Sequence, residues 1–479
     1  MRGGLLTAVA MAALAASGPA RADTLREALI RTYNSNPTLT AQRAQLRSTD
    51  ETVDIARAAG RPQINANAGL NQDVTQIAGI STRNFSAGAD ASLPIYSGGR
   101  VKYGIRAAKE RVSAGRADLR ATEGDIFTEA VGAYMDVIRD RSIVTLNQNQ
   151  VKVLETNLQA SRDRFEVGDL TRTDVAQSEA RLSLARSNLA GAQGQLTASE
   201  ENYRRVIGIA PDDLEPPPPL PDLPANADSA VDVALANNAD LESIKAQARA
   251  AGMDVRVARG ERLPTLTTSA NGSYINYLGS TEDQFGVSGV QNSQTSAGLG
   301  LTARLPIYQG GLAGARVRQS QDIQSRIIEQ GVAVERTVVA QSRSAFAGYQ
   351  AALLAIQSNQ TAVEANTLAL EGTRAEQSVG TRNVLDVLNA EQELLNSQVA
   401  LVSARRDAYV AGFALLNAMG QAEAEDLNLE GGALYDPKLH YDRFSDSWSD
   451  WQDHSTPQPV ATRTVGPQAP PAAPAANNP

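Results

Sequence analysis

Leu93-Pro94-Ile95-Tyr96-Ser97-Gly98-Gly99 returns 212 positions later as Leu305-Pro306-Ile307-Tyr308-Gln309-Gly310-Gly311. Val167-Gly168, followed by Asp174-Val175, returns at the same offset as Val379-Gly380, followed by Asp386-Val387. Gly208 and Gly420 keep that spacing, whereas Asn36 with Asn238, and Pro62 with Pro264, lie 202 apart. Ten residues are therefore inserted between Pro264 and Leu305. A constant offset with one localised insertion marks a duplicated structural unit.

Upstream of the motif each copy opens with a helical segment, 24–60 and 228–260, ending near a Gly and a Pro. The period then changes. Ile64, Ala66, Ala68 and Leu70 alternate with Asn65, Asn67, Gly69 and Asn71, and 85–93 behaves likewise. In the second copy Ala297, Leu299, Leu301, Ala303 and Leu305 alternate with Gly298, Gly300, Thr302 and Arg304. One apolar and one polar face over about ten residues is the pattern of a transmembrane strand. A half-buried hairpin on a soluble core has the same alternation.

Downstream, 100–165 and 312–377 run without proline, and each as one helix spans about 100 Å. In the first, apolar residues recur at a 3.5-residue spacing interrupted by Asp140 and Asn147. Gly168 or Gly380 breaks the helix, and a second helix returns to Gly208 or Gly420. The returning helices carry heptads: Val175, Leu182, Leu189, Leu196 and Tyr203, then Val387, Leu394, Leu401, Ala408 and Leu415. Ser178, Ala185, Ala192 and Ser199, with Ala390, Ser397, Ala404 and Ala411, supply a small companion row that permits close helix approach.

Composition removes whole classes of function. The chain has no cysteine, so disulfides, thiolate metal sites, cysteine nucleophiles and a lipid-anchored N-terminus are all excluded. Its two histidines, His440 and His454, lie beyond the duplicated body, which excludes a His-based catalytic or zinc centre there. No cofactor is expected. Residues 1–22, with Arg2, an apolar Leu5–Ala16 stretch and Ala20-Arg21-Ala22, read as a cleaved secretory signal. The mature chain then has 42 basic against 53 acidic residues, a poor balance for binding nucleic acid. The remaining divisions are a first repeat over 23–220, a second over 221–429, an appendage over 430–455 and a disordered Pro/Ala-rich tail over 456–479. Pro216–Pro219 forms the hinge between the copies.

Geometry adds a constraint. Two strands per copy make four per chain, which cannot close a barrel, and an open sheet edge cannot face lipid. Strands that enter a membrane would therefore require several chains in one barrel.

These residues resemble the TolC-type outer-membrane factors, the exit ducts of efflux pumps and type I secretion systems. The resemblance covers 23–429 and rests on the two Leu-Pro-Ile-Tyr-X-Gly-Gly motifs and on Val379-Gly380-Thr381-Arg382 with Asp386-Val387-Leu388. It implies an α+β membrane protein. Three chains would share a twelve-stranded barrel in the outer membrane of a Gram-negative cell, continued by an α-helical tunnel through the periplasm. It also implies a periplasmic adaptor, and an inner-membrane ABC or proton-driven pump, as partners besides lipid. The turns at Val167-Gly168 and Val379-Gly380-Thr381 would be the adaptor-docking tip. Asp386 would ring the periplasmic aperture, and Arg382 would latch it shut through Thr173 and Asp174 of a neighbouring hairpin. Asn389 stands where some members carry a second aspartate, and Gln377 where a tyrosine often helps lock the closed state. A plain helix-start aspartate is the alternative role of Asp386 and of Asp174. The competing function, a structural periplasmic coiled-coil protein, accounts for the heptads but not for the strands. An enzyme fits worst, since the copies hold no histidine, cysteine or nucleophile motif.

Overall fold

The computed structural model describes residues 23–72, 83–279, 291–429, 434–445, 447–461 and 463. The expected signal 1–22 and most of the expected tail lie outside the described residues. The first copy runs α1 (Leu25–Ser35), α2 (Pro37–Ala58), β1 (Gln63–Gln72), β2 (Arg83–Tyr96), α3 (Arg100–Glu166) and α4 (Arg172–Ile207). The second runs α5 (Ala227–Asn237), α6 (Ala239–Gly260), β3 (Thr265–Asn276), β4 (Ser293–Arg304), α7 (Leu312–Ser378) and α8 (Val384–Ala418). A short α9 (Leu439–Phe444) follows.

The opening segments are not single helices. Each breaks in two at an asparagine, Asn36 or Asn238, whose backbone turns extended. Its side-chain oxygen caps the next helix, accepting from Thr38 N at 2.9 Å and from Leu241 N at 3.1 Å. Pro37 also disfavours a helical Asn36. The amide nitrogens are used in parallel: Asn36 donates to Val206 O at 3.0 Å and Asn238 to Ala418 O at 3.3 Å. Each break is thereby tied to the end of its copy's returning helix.

The four strands form one antiparallel sheet in the order β1-β2-β3-β4. Ile64 pairs with Ala91, Ala66 with Ala89, Ala68 with Ala87 and Leu70 with Phe85. Across the sheet Ala270 pairs with Leu299, and Leu266 with Ala303. The register therefore gathers the apolar alternates on one face. The other face carries Asn65 bonded to Asp90 at 3.2 Å and Ser273 bonded to Ser296 at 2.7 Å. No residue in the four strands is buried, and Leu299 is 90% exposed. Among the described residues nothing buries the apolar face, so the half-buried-hairpin reading does not describe it.

Helices carry the core. Its largest cluster joins α1, α2, the middle of α3, the ends of α4 and α8, and residues Ala422, Ala424 and Leu429. Phe127, Tyr134 and Tyr203 are fully buried there. Tyr134 Oη donates within this core, with the carbonyls of Glu215 at 2.7 Å and Asp23 at 2.9 Å as its two acceptors. Asp140, which interrupts the apolar spacing of α3, is buried but accepts from Arg139 at 2.7 Å and 3.0 Å. Its burial is therefore compensated.

The two longest helices differ sharply. Both have 67 residues, yet 21 are buried in α3 and four in α7. Among the described residues α3 packs against α1, α2, α4, α6 and α8, whereas α7 packs chiefly against α5, α6 and α8.

Candidate functional site: the two hairpin turns

Each hairpin ends in a turn built by one rule. Helix α3 stops at Val167, where Gly168 takes φ +87°, and α7 stops at Val379, where Gly380 takes φ +81°. That conformation suits glycine because a Cβ would be strained there. The fold closes with Asp169 N on Arg164 O at 2.9 Å, and with Thr381 N on Glu376 O at 3.0 Å. Val167 and Val379 are 80% and 74% exposed at the apices.

The turns differ in their charge. Arg164 pairs with Asp169 at 2.6 Å in the first, and Glu376 with Arg382 at 2.8 Å in the second. Position 164 corresponds to 376 at the repeat offset, so the cation and anion have changed sides. The Glu376 hydrogen bond, then the charges of Glu376 and Asp386, raise the Arg382 pKa.

Both candidate aspartates are capping groups. Thr171 starts α4, and Asp174 accepts from its backbone N at 2.9 Å and its hydroxyl at 2.7 Å. These bonds hold the Asp174 carboxyl below its usual range. Asn383 starts α8 by accepting from Asp386 N at 2.8 Å, and Asp386 accepts from Asn383 N at 3.3 Å. The helix-start role is thus filled by both residues, which leaves a further role for Asp386 open.

Within one chain, Arg382 is bonded to Glu376 of its own hairpin, while Thr173 and Asp174 stand on the other one. Thr173 is exposed, Gln377 is half-buried, and the Gln377 carbonyl accepts from Gly380 N at 3.0 Å. Asn389 accepts from Arg181 of α4 at 2.6 Å, which ties the two hairpins together.

Sequence reasoning missed the most buried acid near the tip. Glu391 on α8 is 3% exposed. It accepts from Asn157 of α3 at 3.0 Å and from Arg374 of α7 at 2.9 Å. Beside it, Leu154 and Leu158 of α3, Leu182 and Ala185 of α4 and Leu388 of α8 form an apolar cluster. The repeat partner of Glu391 is Glu179, which is exposed on α4. A glutamate on a helix surface ordinarily signals a solvated face, and burial here comes from the docking of α8 against both α3 and α7.

This arrangement has known counterparts. The sequence matches the family described as outer membrane efflux protein over residues 29–209 and 230–421. It is 34% identical over 430 residues to the outer membrane efflux protein BepC of Brucella suis biovar 1, covering 90% of this chain and 92% of that one. It is 26% identical over 444 residues to the outer membrane protein TolC of Escherichia coli K12, covering 88% and 87%. The fold superposes on the crystal structure of the Campylobacter jejuni CmeC outer membrane channel with a TM-score of 0.73 at 16% identity, covering 83% and 85%. The chain therefore belongs to the outer membrane efflux protein family, a family of channels rather than enzymes, and is an outer-membrane exit-duct protein.

Proposed function

We propose that three copies of this chain close a twelve-stranded barrel in the outer membrane and a helical tunnel below it, exported by the 1–22 signal. The single observation that carries this reading is the contrast between α3, flanked on both sides, and α7, flanked on one. The open sheet agrees with it, since among the described residues neither edge strand has a second strand partner and the apolar face is not buried. A closed ring of chains satisfies sheet and helix together. A purely periplasmic coiled coil leaves the apolar sheet face in water.

The duct is passive in this reading, and its energy comes from an inner-membrane ABC or proton-driven pump. The tip lies about 100 Å of helix from the strands, where a periplasmic adaptor reaches the turns at 167–168 and 379–381. Asp386, displayed around a threefold axis, supplies a negative constriction that favours cations, with Asn389 as a neutral second ring. Arg382 must exchange Glu376 for Thr173 or Asp174 of an adjoining chain if it is the latch. Gln377 is too short and too neutral to replace a tyrosine lock.

Mass measurement of the detergent-extracted protein tests the assembly, and a monomer there overturns it. Planar-bilayer recording tests the gate. Arg382→Ser is expected to raise single-channel conductance, and Asp386→Ala to weaken cation selectivity. Unchanged conductance removes the latch, and unchanged selectivity removes Asp386 from the pore.

A further inference from the structure

The two histidines of the chain are 14 residues apart in sequence and meet in space, with ring centroids 5.5 Å apart. They meet over α2, where Glu51 offers a carboxylate. One ligand atom from each of Glu51, His440 and His454 lies within 4.8 Å of the others. Both His440 nitrogens face acids: Nε2 stands 3.5 Å from Glu51 Oε1, and Nδ1 stands 3.5 Å from Asp50 Oδ2.

This cluster is incompletely satisfied. Asp50 is 3% exposed and neither carboxylate oxygen has a hydrogen-bond partner. The His440 side chain is 10% exposed, and neither of its nitrogens has one either. Buried polar groups are normally bonded, and leaving four such atoms bare is costly. Arg116 and Arg47 lie near enough to act on Asp50 through their charge, yet neither bonds it.

We propose that Glu51, His440 and His454 bind a divalent zinc-type cation, with Asp50 orienting His440 from the outer side. Two imidazoles and one carboxylate suit zinc, whereas magnesium and calcium prefer all-oxygen shells. Four ligands at zinc distances stand roughly 3.3 Å apart, so the three atoms must close by about 1.5 Å at most. Two of the three can move. Glu51 is 41% exposed, and His454 lies in an exposed segment outside any helix or strand. A fourth position is left for water. The Asp50–His440 contact has the carboxylate–imidazole arrangement that fixes the tautomer of a metal-bound histidine.

The ion would fasten the C-terminal segment to the body of the first copy. That segment already touches α2 and its flanks apolarly: Tyr441 packs with Val53, Ala108 and Val112. Trp448 receives the Arg61 guanidinium over its ring at 4.7 Å. Sequence reasoning excluded a histidine centre from the duplicated body, and this one takes its histidines from outside it.

The test uses the mature full-length protein in detergent, without a polyhistidine tag and stripped with chelator. Zinc titration followed by elemental analysis should give one ion per chain, and cobalt should give the absorption of a four-coordinate site. His454→Ala and His440→Ala should each abolish that stoichiometric binding, and Asp50→Asn should weaken it by about 10- to 100-fold. His454 is exposed, so His454→Ala leaves folding intact and keeps the test decisive. Zinc should also protect 434–461 from limited proteolysis in the wild type and not in His454→Ala. Wild-type protein that binds no zinc, binding that survives both histidine changes, or equal binding of calcium would each overturn the proposal.

Discussion

Helices α3 and α7 occupy equivalent places in the two copies, with equal length and equal caps, and they live in different surroundings. Helix α3 is enclosed because α6 and α8 of the second copy cover the side that α2 and α4 leave free. Among the described residues no helix covers that side of α7, and Leu354 and Leu368 stand 63% and 70% exposed. Equivalent architecture with unequal burial is what the proposed ring of chains explains, with the exposed flank of α7 as the contact with an adjoining first copy.

The largest expected effect attacks that flank. The double change Leu354→Glu with Leu368→Glu should leave the chain folded and abolish the oligomer. Each buried leucine contributes roughly 1.5–3 kcal/mol, and the charges add a desolvation cost. Mass in detergent reads the outcome, and an intact oligomer would break the comparison. The mirror change, Leu158→Glu in the buried seam of α3, should instead destabilise the chain itself.

Glu391 and Glu179 sharpen the contrast at the tip. Glu391→Ala strips buried partners from Asn157 and Arg374 and should cost about 1–3 kcal/mol. Glu179→Ala, which loses only a 3.8 Å surface pair with Arg162, should cost less than about 0.5 kcal/mol. Equal costs in chemical denaturation would mean that α8 does not dock on α3.

A pH effect of similar size resides in the core of the first copy. Burial pushes the Glu123 carboxyl up to about 7, although it accepts from Ala424 N. Its folded pKa lies above its unfolded one, so the folded state holds the proton longer. Stability is then full below about pH 4.5 and falls as pH rises towards 7. Glu123→Gln should flatten that decline in thermal melts recorded between pH 5 and 8, and an unchanged slope would count against it.

The smallest effect compares Gly98 with Gly310. A Cβ on Gly98 would meet Gly260 O at 2.5 Å, while one on Gly310 meets nothing within 4 Å. Both positions have positive φ, so alanine strains both by about 1 kcal/mol. In the assembled protein Gly310→Ala should cost as much as Gly98→Ala, because the adjoining chain supplies the missing contact. A persistent difference in the assembled form would argue for a different neighbour.

Much of this was legible in the residues. Repeat offset, strand alternation and heptads carry the fold class because each is a local pattern that secondary structure reads directly. The break at Asn36 was signalled by Asn36-Pro37, a capping residue followed by proline at the first helical position, and was missed; at Asn238 no proline follows, and the capping bond is made by a side chain within a continuing helical pattern. Glu391 was not legible, because its burial depends on a contact between copies. Asp386 and Arg382 were visible as positions. Their bonds to Asn383 and Glu376 belong to the single chain, and the apposition of neighbouring hairpins is a property of the assembly.

The exchanged charges of the two turns bear on partner stoichiometry. The proposed ring of three chains would display six apices that share an exposed valine and a left-handed glycine. It would display only three Arg164–Asp169 pairs, alternating with three Glu376–Arg382 pairs. A docking partner that reads the Val-Gly apex alone meets six quasi-equivalent sites and can arrive as a hexamer. One that reads the clasp charges meets two kinds of site, so a partner ring made of one protein would find its sites alternating in charge arrangement.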